Sequence, residues 1–213
     1  MNRIITGEEA RSIIRKGVDE TANIVKLTYG AKGRNVIVAR PHMLPYITKD
    51  GVTVAKEAML DDEIANIGAY LIKQVAARTD DEVQNGTSSS TILAQAIVNE
   101  ADSMLKQGVN PVYVKRGIDK AMEFAVKKLK TLSTKIKTNT ELRNIATISA
   151  NGDKEIGKLI AEIYKKTGKD GVIKVEEGLT TETTVEYTKG YEIDNGFLNW
   201  GFINNHEKNQ VEF

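Results

Sequence analysis

The feature that most constrains this chain is Gln84-Asn85-Gly86-Thr87-Ser88-Ser89-Ser90, a hydroxyl-rich turn that runs directly into the apolar segment Thr91-Ile92-Leu93-Ala94-Gln95-Ala96-Ile97. A turn that opens a helix leaves several backbone N–H groups without partners. It also aims the positive end of the helix dipole at whatever sits there, which suits a phosphate. A bound nucleotide is the ligand this pattern points to. Thr87 or a neighbouring hydroxyl also fits an ordinary N-cap, so the segment alone leaves both readings open.

Composition narrows the function classes. With 213 residues, 40% hydrophobic and 28% charged, the chain suits one large globular domain or two small ones. Lys+Arg 30 against Asp+Glu 29 leaves a formal charge of +1, so no strong field favours nucleic acid or an anionic membrane surface. No apolar run approaches the roughly 20 residues of a membrane span, and Met1 to Thr6 lacks the layout of a secretory signal. With Cys 0 there is neither a disulfide framework nor a thiolate site, and a cytoplasmic location is the simplest expectation.

Periodicity predicts mainly helices. Thr6-Gly7-Glu8-Glu9 reads as a capping box, followed by Ala10, Ile14, Val18, Thr21 and Val25 on one face of a helix reaching about Tyr29, where Gly30 stops it. Asn35 to Arg40 suits a short strand, and Ile47-Thr48-Lys49-Asp50-Gly51-Val52 sets an Asp-Gly turn signal between apolar positions. Asp61-Asp62 starts a helix with Ile64, Gly68, Leu71 and Val75 inside, and another helix follows the hydroxyl turn. Pro111 opens a further one, with Val114, Ile118, Ala121, Met122, Ala125, Leu129 and Leu132 as its apolar stripe. These helices are expected to pack together.

After about Ser133 the pattern predicts a smaller α+β unit. It holds a helix from Asp153 to Lys166 with Ile156, Leu159, Ile160 and Ile163 inside, a turn at Gly168-Lys169-Asp170-Gly171, and strands at Val172–Val175 and Thr181–Thr188. From Gly190 the composition shifts to Gly, Asn and aromatics, and Gln210 to Phe213 reads as a strand with no partner. The expectation is of a chain that stops short of a complete fold.

Familiar catalytic patterns are missing. Gly168-Lys169 is followed by Asp170, which excludes an ordinary P-loop, and no G-x-G-x-x-G occurs. His42 and His206 stand far apart with no zinc or triad arrangement. What remains are the Gly-bearing turns Thr28-Tyr29-Gly30-Ala31, Thr48-Lys49-Asp50-Gly51 and Asn85-Gly86-Thr87-Ser88-Ser89. Together they offer backbone donors, a lysine, a carboxylate and hydroxyls. Each alone also reads as a plain turn; only their convergence would make a site.

These turns, in this order and spacing, resemble the nucleotide site of the group I chaperonins, the GroEL type. The matching blocks are Val25 to Val36 (VKLTYGAKGRNV), Ile47 to Val52 (ITKDGV), Gly86-Thr87 with Leu93 to Ile97 (LAQAI), Lys115 to Ala121 (KRGIDKA), Thr147 to Asn151 (TISAN) and Gly157 to Glu162 (GKLIAE). The resemblance spans essentially the whole chain. It implies a multi-domain fold: a mainly α-helical equatorial segment at 1–132, a small α+β intermediate segment at 133–189, and the start of an α/β apical domain at 190–213, with Gly190 at the hinge. The return half of such a subunit is not represented, so the resemblance implies a fragment, an incomplete subunit or a truncated product.

The implied function is an ATP-dependent chaperonin subunit that captures and encapsulates non-native polypeptides. It would be a homo-oligomeric ring, heptameric at full length, with a candidate co-chaperonin, ATP and Mg²⁺ as cofactors and K⁺ as a further candidate cation. Thr28, Tyr29, Gly30 and Ala31 would line base and phosphates, and Lys49 would lie near the phosphates. Asp50 would assist hydrolysis, Gly86, Thr87, Ser88 and Ser89 would cradle the β- and γ-phosphates, and Ile148 and Ser149 would report nucleotide state. Phe197, Leu198 and Phe202 would contact clients or pack locally.

One departure stands out. The family's Gly-Asp-Gly-Thr-Thr is here Gln84-Asn85-Gly86-Thr87-Ser88, so an amide replaces the carboxylate expected to hold Mg²⁺. A neutral carbonyl can coordinate a hard cation but brings no charge. The alternatives are therefore a nucleotide-binding ring or scaffold with impaired hydrolysis, or an inactive truncated fragment. Ala31 in place of a usual proline loosens its turn by about 0.5–1 kcal/mol.

Overall fold

A computed structural model describes residues 4–168, 170–175, 183–188, 190, 196–206 and 209–211. Two compact units emerge, 1–161 and 162–213. In the first, α1 (Gly7–Lys26) leads through the hairpin β1 (Val36–Val38) and β2 (Tyr46–Thr48) to α2 (Gly51–Glu57), α3 (Ala65–Val83), α4 (Thr87–Lys106), α5 (Pro111–Leu132), α6 (Asn139–Ser149) and α7 (Lys154–Thr167), the last continuing past the unit boundary. The strands pair antiparallel, with Val36 opposite Thr48 and Val38 opposite Tyr46. The fold is mainly helical.

The core is built on small side chains. Along α1 the buried face is Gly17, Val18, Thr21, Ala22 and Val25, close to the stripe the periodicity predicts. Along α3 it is Ala65, Gly68, Ala69, Ile72 and Ala76. Small residues let the two backbones touch: a Cβ on Gly17 would sit 1.8 Å from the Ala65 carbonyl oxygen, and one on Gly68 would sit 2.0 Å from that of Ile14. Beyond this crossing, Val18 and Ala22 pack with Ile72, while Val25 joins Val52, Val54, Ala55 and Ala76. The two helices therefore run in the same sense, and their C-terminal ends share one end of the bundle.

Several sequence expectations are corrected. Thr6 stands at the N-cap of α1 but its side chain caps nothing, whereas Thr138 and Glu141 form a full capping box on α6, a helix the pattern did not predict. The first helix ends at Lys26, before Gly30. The Asp-Gly pair is no hairpin turn, because the Asp50 carboxylate accepts from the Thr53 N–H at 2.8 Å and starts α2 instead. Leu71 is exposed, since the glycine crossing turns the Gly68–Ile72 stripe inward. On α5 only Val114 is buried, and Met122, Leu129 and Leu132 face outward.

The expected helix near 153–166 is present as α7, with Gly157 and Ala161 buried and Ile156 exposed. Gly157 is held against α6, where a Cβ would meet the Thr147 hydroxyl at 2.1 Å.

In the second unit, the described residues at 171–175 and 183–188 form no ladder, and Val172 and Val175 are exposed. Lys169, Thr181 and Glu182 lie outside the described residues. Near the end, Asn205 and Gln210 form an isolated antiparallel bridge, with Glu212 and Phe213 outside the described residues. A short 3-10 helix (Trp200–Phe202) is capped by Asn199.

An ion pair ties the hairpin to α2. The Arg40 guanidinium donates to both carboxylate oxygens of Glu57, one bond at 2.8 Å, and also faces Tyr46. These hydrogen bonds hold the Glu57 carboxyl below its ordinary range, against the opposing pull of desolvation. A carboxylate stabilised this way adds stability that is complete above its unfolded-state value and is lost as pH falls through the lowered folded value.

Gly17→Ala is expected to cost about 2–3 kcal/mol by forcing α1 off α3, read as a lower urea midpoint. Glu57→Gln is expected to flatten the acid limb of a stability-against-pH curve and to leave its neutral-to-alkaline part parallel to wild type. An unchanged acid limb would count against the pair.

Candidate functional site

At the shared end of α1 and α3 the chain turns sharply. After α1, the Arg34 N–H donates to the Leu27 carbonyl at 2.6 Å and the Gly33 N–H to that of Gly30 at 2.9 Å, closing a loop around Thr28 to Ala31. Gly30 takes φ +71°, and a Cβ on Gly33 would lie 2.2 Å from the Thr28 carbonyl oxygen, so this loop needs both glycines. Thr28 is buried, its hydroxyl donating to the Val25 carbonyl at 2.8 Å, while Tyr29, Gly30 and Ala31 are exposed.

The three turns converge. The Thr28 hydroxyl lies 3.4 Å from that of Ser88, and a Cβ added to Gly51 would meet the Ser88 hydroxyl at 2.1 Å and the Thr28 hydroxyl at 3.5 Å. Residues some 60 positions apart in sequence thus meet at one point. Gly51 is buried there because nothing larger fits. Lys49 and Asp50, just before it, are exposed.

Asp50 is partly committed: its Oδ2 accepts from both the N–H and the hydroxyl of Thr53. The third turn is bent by two left-handed residues, Gln84 at φ +50° and Gly86 at φ +78°, with exposed Asn85 between them. No side chain caps α4, which leaves the backbone donors of its first turn facing outward. Thr87, Ser88 and Ser89 are half-buried around it.

Two supporting groups escaped the sequence reading. The Ser90 hydroxyl donates to the Thr87 carbonyl at 2.9 Å, and Thr79 on α3 reaches Ser90 at 2.9 Å, bracing the turn between its two helices. Only the hydroxyl run itself hinted at Ser90, and nothing local marked Thr79. Ile148 and Ser149, at the end of α6, are exposed, and no hydrogen bond among the described residues ties either to the three turns.

In the second unit Phe197, Leu198 and Phe202 border an open surface depression with Gly196, Asn209, Gln210 and Val211. The Phe197 and Trp200 rings meet edge to face at 5.3 Å. Gly190 adopts φ +143°, a backbone conformation unfavourable for other residues.

No cluster of three His, Cys, Asp or Glu side chains suited to a metal ion occurs among the described residues. No helix among them is long and apolar enough to cross a membrane.

Comparison with known proteins matches residues 21–211 to the model of the TCP-1/cpn60 chaperonin family. The fold resembles the chaperonin gp146 of bacteriophage EL 2 (Pseudomonas aeruginosa), crystallised in the presence of ATP-BeFx. One crystal form has TM-score 0.70 and 26% identity over 84% of this chain; another has TM-score 0.70 and 25% identity over 84%. A group III chaperonin in the open state shares the fold at TM-score 0.64, with 22% identity over 74% of this chain. In each case the chain spans 32% of the length of the matched protein.

Gly51→Ala is expected to destabilise by about 1–3 kcal/mol, and adding Ser88→Ala to recover at least about 0.5 kcal/mol of that loss. Denaturant unfolding of wild type, both single variants and the double variant measures the coupling. Strictly additive losses would mean that the two turns do not touch.

Proposed function

This chain belongs to the TCP-1/cpn60 chaperonin family, and on that premise we propose that it is part of an ATP-dependent chaperonin subunit of the group I, GroEL-like type. The observation that carries the nucleotide reading is the meeting of Thr28, Gly51 and Ser88 at the uncapped start of α4. On this reading Thr28 to Ala31 and Gly86 to Ser89 surround the phosphates with backbone N–H groups and hydroxyls. Lys49 supplies a cation beside them. Asp50, with Oδ2 bound to Thr53, turns its other oxygen to polarise the attacking water. Ile148 and Ser149 read the nucleotide from α6.

The proposed segments are equatorial at 1–132, intermediate at 133–189 and the start of the apical domain at 190–213. The whole machine is a cytoplasmic homo-oligomeric ring, heptameric, that encapsulates non-native polypeptides with a co-chaperonin. The open depression bordered by exposed Phe197, Leu198 and Phe202 offers apolar surface to such clients.

The donor set fits nucleotide phosphates, which need N–H and O–H donors. It does not fit a divalent cation held by protein carboxylates. Asn85 offers a neutral amide where the resemblance implies an aspartate, and one Asp50 oxygen is taken by Thr53. Asn85 therefore favours a second reading of the same site, in which binding is retained and hydrolysis is slow.

The test is ATP binding by calorimetry beside phosphate release in Mg²⁺, for wild type and Asn85→Asp. Both proteins are expected to bind ATP, with turnover raised at least about tenfold in the variant, or about 1.4 kcal/mol of barrier. Equal turnover would remove the impaired-hydrolysis reading. Failure of both to bind would remove the nucleotide reading.

A further inference from the structure

A polar ladder runs between α1 and α4 from the convergent turns to the far end of the bundle. Thr28 faces Ser88 at 3.4 Å. Gln95 then donates from Nε2 to Asn23 at 3.2 Å and to Asp19 at 2.6 Å, and Asn99 donates to the same Asp19 oxygen at 2.8 Å. Arg15 stands 3.4 Å from Asp102, which also pairs with Lys106 at 3.0 Å. Numbers descend on α1 as they ascend on α4, so the helices are antiparallel and each rung fixes the next.

The ladder is costly where a plain apolar seam would be cheap. Gln95 and Asp102 are buried, and the Gln95 Oε1, Asn99 Oδ1 and Thr91 Oγ1 atoms are buried without a hydrogen-bond partner. Both amides turn their NH₂ groups toward one carboxylate and leave their oxygens unpaired. Apolar residues would stabilise this contact at least as well.

What an apolar seam would lack is register. A slip of one helical turn in one direction would bring Asp102 toward Asp19, carboxylate against carboxylate. In the other it would put Thr91, too short to reach, where Gln95 reaches Asp19, and would part Asp102 from Arg15. The first slip sets two carboxylates together, and the second takes Arg15 from buried Asp102 and one of its two amide donors from half-buried Asp19.

We propose that Asp19, Gln95 and Asn99 are positioning residues that set the register of α4 on α1, and so the height at which Ser88 and the uncapped first turn of α4 meet Thr28 and Gly51. Their consequence for ATP rests on the nucleotide reading above; their consequence for register does not.

The chain has Cys 0, so an engineered pair reports register directly. Thr28→Cys with Ser88→Cys is expected to cross-link readily under mild oxidation, because the two Oγ atoms are already close. In the Asp19→Leu/Gln95→Leu/Asn99→Leu background the cross-linking rate is expected to fall about tenfold while the unfolding midpoint stays level or rises. The exchange Asp19→Asn/Gln95→Glu, which moves the carboxylate across the seam, is expected to restore the rate to within about threefold. Should the triple variant fail to fold, Asp19→Asn alone still tests the ladder, with an expected rate loss of about threefold at unchanged stability.

An unchanged cross-linking rate in the folded variants overturns the proposal, as does a loss that merely follows falling stability. ATP affinity is then measured in the same backgrounds without the cysteines. A tenfold weakening beside the slowed cross-link supports both readings. A slowed cross-link in a chain whose wild type binds no ATP supports the register role and overturns only the nucleotide reading.

Discussion

The rest of the first unit depends on two backbones touching. Gly17 and Gly68 remove the side chains that would otherwise hold α1 and α3 at an ordinary helix separation, and each lies against a carbonyl of the other helix. At that distance mostly small side chains fit along the seam, which is why its buried residues include Ala22, Ala65, Ala69 and Ala76, with Ile72 as the one large side chain. Close packing of small groups makes many dispersion contacts but tolerates little displacement. The crossing therefore fixes where both helices end, and Thr28 and the start of α4 are carried to one place by that constraint.

The α1–α3 and α1–α4 contacts position this end of the bundle in different ways. The α1–α4 ladder specifies position with directional, partly unsatisfied polar groups, whereas the α1–α3 crossing specifies distance with steric exclusion. The steric contact sets how α1 and α3 meet but leaves the height of α4 on α1 to other groups. Hydrogen bonds from Gln95 and Asn99 to the half-buried Asp19 carboxylate resist sliding, because a slip removes donors from the charge or sets Asp102 against it. Together they constrain α4 in both directions, which a loop that must present backbone N–H groups at fixed points requires.

How far the sequence revealed this depends on the kind of interaction involved. Local signals were legible: Val18, Thr21 and Val25 on the buried face of α1, Pro111 at the first turn of α5, and the hydroxyl run opening α4. Periodicity placed Ile64, Gly68, Leu71 and Val75 inside, but of these only Gly68 is buried, since steric exclusion by the Ile14 carbonyl is invisible along one helix. The Thr6 motif had the spacing of a capping box without its hydrogen bonds, and the equivalent motif at Thr138 went unread beneath a run of Thr and Lys. On α5 the apolar stripe predicted the helix but not its burial, because amphipathicity says which face is apolar and not what meets it. At the site, each Gly-bearing turn was visible alone. Their meeting, and the Thr79–Ser90 brace, depend on contacts between distant segments that no local pattern encodes.

On the proposed reading, binding and turnover make different demands on this site, and the chain separates them. Holding a polyphosphate needs donors at set positions, and these come from the backbone of α4, the glycine turns and the hydroxyls, all of which are neutral. Moving a phosphoryl group also needs positive charge where negative charge shifts, and protein carboxylates are what usually fix a divalent ion there. Asn85 keeps an oxygen at the place the family resemblance gives to that carboxylate but removes its charge, so it alters the second demand while leaving the first intact. Lys49 does not compensate, because a single exposed ammonium is screened by solvent and salt. A conformational cycle that responds to occupancy alone would survive this change. One that requires the γ-phosphate to leave would slow with it, and the register of α4 would then matter more for binding than for chemistry.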